Sequence, residues 1–140
     1  IRDSWGAVYN YSKALCEKNA ASEGVASRCV FQHGDANHLD FPDESFDAVI
    51  SNYVYHNVMG ADIHKLLLES LRVLKKGGVF ALNDDMKPKL YGDMDVFAQK
   101  LREMGYQDVR LIDTAEEAFG SHRRAAMMML GSSRLLVGRK

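Results

Sequence analysis

The 140 residues are enough for one domain that buries a sizeable core. With 46% hydrophobic and 26% charged residues, a formal net charge of −1 and a pI near 6.6, the composition is that of an ordinary globular protein. No basic tract is longer than a pair, as at Lys75-Lys76 and Arg123-Arg124, and no apolar run approaches a membrane span, so neither nucleic acid nor a membrane is expected as a partner.

Helical spacing comes first, at Val8, Tyr11, Leu15 and Asn19, with Gly24 as a stop. Residues 28–32 (RCVFQ) have the composition of a strand, broken by Gly34. Residues 46–51 (FDAVIS) read as a second strand, apolar enough to be buried on both faces. Ile63, Leu67, Leu71 and Leu74 then share one helical face, which Asp62 caps and Lys75-Lys76-Gly77-Gly78 ends. Residues 79–82 form a third strand. Asp93 caps a helix with the stripe Met94, Phe97, Leu101 and Met104, stopped by Gly105. Residues 109–112 are a fourth strand. Residues 113–124 are polar and aperiodic, and residues 134–137 form a last strand that follows closely. Cys16 and Cys29 match neither a metal spacing nor a disulfide framework and read as small core residues; a reducing cytoplasm is the setting they imply.

Alternating strands and helices predict an α/β fold: a Rossmann-like open, mostly parallel sheet with helices on both faces and an antiparallel last strand. Ligands of such sheets collect at the carboxyl ends of the strands. Asp3, after what reads as the end of a first strand, offers two acceptor oxygens that suit the two hydroxyls of a ribose, or it caps a helix. Trp5 can stack on a nucleoside or cover the core edge. Gly34-Asp35-Ala36 can meet an adenine amine and ring nitrogen, or simply make a turn. Residues 51–57 (SNYVYHN) are the densest polar and aromatic cluster, in which His56 is a candidate general base or a histidine bonded to the backbone. Asn83-Asp84-Asp85 read as solvated turn residues, and no metal site is expected.

In this order and spacing, residues 34–58 (GDANHLDFPDESFDAVISNYVYHNV) and 71–84 (LRVLKKGGVFALND) resemble the class I S-adenosylmethionine-dependent methyltransferases, in particular their small-molecule branch. The resemblance covers nearly the whole chain as one domain, residues 1–140. It implies S-adenosylmethionine as cofactor and methyl transfer to a small-molecule acceptor. Asp3 and Trp5 would hold the ribose and adenine side, Gly34, Asp35 and Ala36 the adenine, and Asn52 the methionine part. Tyr53, Tyr55 and His56 would face the substrate, with Tyr55 and His56 as catalytic candidates.

The family also carries a first strand and glycine-rich loop that do not precede Ile1 in this sequence. The expectation is therefore an N-terminally incomplete domain, completed in a longer enzyme, completed by a second copy in a homodimer, or no longer catalytic. An NAD-dependent oxidoreductase and a non-catalytic interaction module stand as the alternative functions.

Overall fold

A computed structural model of the chain describes residues 12–140. In order, the elements are helix α1 (Lys13–Ser22), a 3-10 turn (Ala26–Arg28), strand β1 (Phe46–Asn52), a 3-10 turn (Tyr55–Asn57), helix α2 (Ile63–Arg72), strand β2 (Leu74–Asp85), short helix α3 (Pro88–Tyr91), helix α4 (Met94–Glu103), strand β3 (Gln107–Asp113), short helices α5 (Ala115–Phe119) and α6 (His122–Met127), and strand β4 (Ser133–Arg139). The four strands make one sheet in the order β1-β2-β4-β3. β1 and β2 are parallel, while β4 is antiparallel to both β2 and β3. β1, β2 and β3 thus point one way, and the last strand enters reversed between β2 and β3. This is the open α/β sheet with an antiparallel final strand that the element order predicts.

Side chains alternate across a strand, so Phe80 and Leu82 of β2 share a face with their cross-strand neighbours Val49 of β1 and Leu136 of β4. That face meets Leu66, Leu67 and Leu71 of α2 and Phe97, Ala98 and Leu101 of α4 in one buried cluster. The helices also touch each other, with the His64 and Phe97 rings 4.5 Å apart. Both start on a carboxylate cap as the sequence predicts: Asp62 accepts from the Lys65 amide, and Asp93 from those of Asp95 and Val96.

The end of α2 differs from the sequence reading. The helix stops at Arg72, and Leu74 already belongs to β2. The carbonyls at and just past its end are claimed from outside: the Lys140 ammonium donates to those of Leu71 and Arg72 and to that of Leu74 in β2, and the Ser45 and Phe46 amides donate to Val73. The two glycines lie inside β2. Gly77 has φ +77, and a Cβ on Gly78 would come within 2.6 Å of the Leu74 side chain and 2.9 Å of the Asp47 carbonyl oxygen.

Other expectations fail for want of a partner. Residues 28–32 form no strand: a 3-10 turn ends at Arg28, Val30 is 89% exposed, and no ladder is offered to the segment among the described residues. β1 is not buried on both faces: Val49 packs on the core, while Ile50 on the other face is 83% exposed, with no element among the described residues covering it. In α1 only Ala20 is buried, Asn19 is exposed, and so is Cys16, which is therefore no core residue. Met104 falls outside the core stripe of α4, one residue past the end of that helix. Residues 113–124, aperiodic in sequence, fold into two helices too short to show a period.

Candidate functional site

The carboxyl ends of β1 and β2 lie side by side, Asn52 paired with Asn83. One residue further on β2, Asp84 is 0% exposed. One of its oxygens accepts from the amides of Tyr55 (2.8 Å) and His56 (3.3 Å). The other accepts from the Asp85 amide (2.7 Å) and makes a short contact with Nδ1 of His56. A carboxylate met by three amides is an acceptor on every side, so Nδ1 of His56 donates to it. The ring is thereby held in one orientation with Nε2 turned away from Asp84, and its side chain is 30% exposed. Among the described residues the Tyr91 hydroxyl, buried near Asp84, has no hydrogen-bond partner; burial first, then the negative charge of Asp84, push its pKa far up and keep it a neutral phenol.

Asn83 sends its side chain to the opposite face. There its amide nitrogen donates to Asn52 Oδ1 (2.8 Å), and its oxygen accepts from the Thr114 hydroxyl (3.1 Å). Thr114 and the fully buried Ser133 lie 3.0 Å apart, and Ser133 reaches the Tyr53 hydroxyl at 2.6 Å. Hydrogen bonds thus cross the sheet from β1 to β4 and to the end of β3. Tyr53 itself adopts φ +53, a conformation that costs a tyrosine about 1–3 kcal/mol. Its amide is bonded to the Asn83 carbonyl and its carbonyl to Asn57, which hold the turn. The turn brings Tyr53 beside His56, ring centroids 6.4 Å apart and nearly perpendicular.

Along the carboxyl-terminal half of β1 runs an open groove of about 530 Å³, lined mainly by apolar groups of Ala36, Leu39, Val49, Val54 and Tyr55 and reaching Asn52. Its far wall depends on one arginine. Arg72 donates to the carbonyls of Leu39 and Phe41 and to the carboxylates of Asp43 and Glu69, and Glu69 also accepts from the Leu39 amide. This clamp ties the loop carrying Ala36 to α2. Chiefly through the Arg72 hydrogen bond, Glu69 has its pKa lowered to about 2.

The sequence-predicted residues fall out as follows. Ala36 and Asn52 meet at the groove, while Tyr53 and His56 meet at the strand ends. Asp35 is exposed, and one oxygen is engaged by the backbone and side-chain amides of Asn37, which lower its pKa. Among the described residues nothing lies within 4 Å of where a Cβ on Gly34 would sit, so none of them requires a glycine there. Tyr55 turns inward: it is 4% exposed, donates to Ser70 and has its pKa raised by burial, so it walls the groove as a neutral core phenol. Asp3 and Trp5 lie outside the described residues. Asn83, Asp84 and Asp85 are not solvated turn residues, since both carboxylates are buried at the end of β2. The signal was there to read: period two from Phe80 and Leu82 puts Asp84 on the core face. Ser133 and Thr114 gave no such signal, because small hydroxyl residues look like loop residues until their strands are paired.

Comparison with known proteins agrees with this architecture. Residues 8–82 match the methyltransferase domain family. The chain is 31% identical over 102 residues to the 27-O-demethylrifamycin SV methyltransferase of Amycolatopsis mediterranei, covering 73% of this chain and 36% of that protein. It is 30% identical over 100 residues to a sterol 24-C-methyltransferase of Gibberella zeae, covering 71% of this chain and 25% of the relative. In fold it resembles the crystal structure of a putative sarcosine dimethylglycine methyltransferase from Galdieria sulphuraria, with a TM-score of 0.66 at 16% identity over 91% of this chain and 65% of that one. The chain thus spans about a third or less of the curated relatives it matches. The matched half of the sequence and the reversed last strand together carry the assignment: the chain belongs to the class I S-adenosylmethionine-dependent methyltransferase family.

Proposed function

We propose that this chain forms the catalytic half-site of an S-adenosylmethionine-dependent methyltransferase acting on a small molecule, with His56 as the base. The observation that carries the reading is found at the carboxyl ends of β1 and β2, where the buried Asp84 fixes His56 and a separate apolar groove joins Ala36 to Asn52. The apolar lining from Ala36, Leu39, Val49 and Val54 fits a flat adenine ring, and Asn52 offers polar groups at the groove's end. The free oxygen of Asp35 suits the exocyclic amine, and Asp3 and Trp5 remain assigned to the ribose side by family resemblance alone. When bound, S-adenosylmethionine supplies a methyl group on a cationic sulfur, a good leaving group that asks the protein mainly for alignment and water exclusion.

His56 then has a limited task, to accept at Nε2 the proton that an acceptor loses and hold it as an imidazolium against Asp84. The rifamycin relative is named for an oxygen acceptor and the sterol relative for a carbon acceptor, so family likeness leaves the acceptor atom open.

Calorimetric titration with S-adenosylhomocysteine tests the reading. Saturable 1:1 binding that weakens when Ala36→Trp fills the groove supports it. A folded sample that binds NADH and not S-adenosylhomocysteine sinks it.

A further inference from the structure

The carboxylate of Asp84 is full. An ionised carboxyl group offers about four lone-pair sites. The Tyr55 and His56 amides take one oxygen, and the Asp85 amide and Nδ1 of His56 take the other. Three of these donors are backbone, fixed in the turn after β1 and at the end of β2. The fourth is on a side chain that is 30% exposed and free to rotate about its own bonds, so it alone can come away.

A fifth donor stands beside them. Tyr91 ends α3, where its amide donates to the Lys87 carbonyl and its own carbonyl accepts from Nε2 of His64 on α2 at 2.7 Å. With its backbone tied on both sides, the residue is 1% exposed, and its hydroxyl has no hydrogen-bond partner among the described residues. Tyr55, the other buried phenol of this part of the core, gives its proton to Ser70. The charge that bears most on the Tyr91 hydroxyl is that of Asp84, ahead of Asp85. The phenol therefore keeps a proton to give, and Asp84 is the acceptor it faces.

We propose that Tyr91 is a positioning residue for His56: its hydroxyl is the reserve donor of Asp84 and takes the lone pair that the imidazole leaves when it swings outward. With His56 inward, Asp84 is filled and the phenol is idle. With His56 outward, the phenol fills Asp84 and water hydrates the imidazole. The buried carboxylate thus keeps four donors in both states, which removes the penalty for taking a partner from a buried charge. The use of this latch rests on the reading of His56 as the base, since a base that can leave Asp84 can follow the atom whose proton it takes. Tyr91 itself acts only through Asp84.

A double-mutant cycle on the 140-residue chain tests the latch, by denaturant unfolding of the parent, Tyr91→Phe, His56→Ala and the double variant. Phenylalanine keeps the ring, so the substitution reads the hydroxyl and not the packing. In the presence of His56, Tyr91→Phe removes an idle buried donor and should raise the folding constant about threefold or more. In His56→Ala the hydroxyl has Asp84 to itself, so the same substitution should lower the folding constant about tenfold. His56→Leu takes the place of His56→Ala should that variant not fold. The expected result is this reversal of sign. The same change in both backgrounds, whichever its sign, overturns the proposal, because the hydroxyl would then be indifferent to whether His56 holds Asp84. The cycle contains no cofactor and no acceptor. Its failure therefore leaves the methyltransferase reading standing, and a failure of S-adenosylhomocysteine to bind leaves the latch standing.

Discussion

Residues 46–140 and residues 12–45 differ in how their elements are held. In the first region β2 and β4 are paired on both edges, and α2 and α4 bury a shared apolar face on them. In the second, one helix buries a single alanine and a strand-like segment forms no strand. Both regions contribute a carboxylate to the candidate site. Asp84, from the first, is wholly buried and engaged by four donors; Asp35, from the second, lies in the open and is engaged only by its own turn. Apolar composition therefore specifies an element only where another element is present to complete it, and the same contrast divides the fixed part of the site from its adaptable part.

The sharpest way to break this comparison is to remove equal volumes from both regions. Leu67→Ala in α2 should cost about 2–5 kcal/mol, as a cavity opens in a core with no room to collapse. Leu15→Ala, on the half-buried side of α1, should cost less than about 1 kcal/mol. Denaturant unfolding of the two variants measures the difference, and equal losses would show that α1 packs as firmly as α2.

Asp84→Asn acts next. It leaves up to four donors facing a side chain with one acceptor and one donor, which should cost about 1–3 kcal/mol. It should also release the tautomer of His56. Nitrogen-15 chemical shifts of the imidazole, with Nδ1 protonated in the parent protein, should move toward a mixture of tautomers in the variant. An unchanged pattern would mean that Asp84 does not set the base.

How much of this was legible follows from the same division. The caps at Asp62 and Asp93, the stripe through Leu67 and Leu71, and the reversed last strand are local patterns that name their own surroundings, and they held. Val30 and Ile50 have the composition of buried strand residues yet are exposed, because burial depends on neighbours that no local window contains. At the strand ends, Asn52, Tyr53 and His56 were named from their position after β1 and do lie there, whereas Ala36 was named from a strand that does not form and reaches the groove from a loop. Tyr55 was misplaced because a 3-10 turn rotates it inward between two outward residues. Ser133 and Thr114 lie 80 and 61 residues from Tyr53 along the chain, and only the antiparallel entry of β4 brings them to it.

The clamp between the two regions has a pH signature. Glu69 falls from its ordinary 4.5 to about 2 through its bond to Arg72, so folding lowers its affinity for protons. Its contribution to stability is complete above about pH 4.5 and is lost as the pH falls toward 2. Unfolding midpoints of the parent and of Glu69→Gln should therefore differ above pH 4.5 and converge toward pH 2. A constant gap would assign the difference to packing rather than to the ion pair.

The smallest effect is expected at Asp35, where it separates turn from ligand. Its pKa is lowered by the Asn37 amide, so it is a charged acceptor at neutral pH, with one oxygen occupied and one free. Asp35→Ala removes both oxygens and should reduce S-adenosylhomocysteine affinity about threefold to tenfold, without moving the unfolding midpoint measurably. Asp35→Asn keeps an oxygen for the Asn37 amide but replaces the free oxygen with a donor. If the free oxygen meets the adenine amine, Asn should lose at least as much affinity as Ala, because two amino groups would then face each other. If Asp35 serves only to shape the turn, Asn should bind as the parent does, and the adenine assignment would pass to the Ala36 backbone alone.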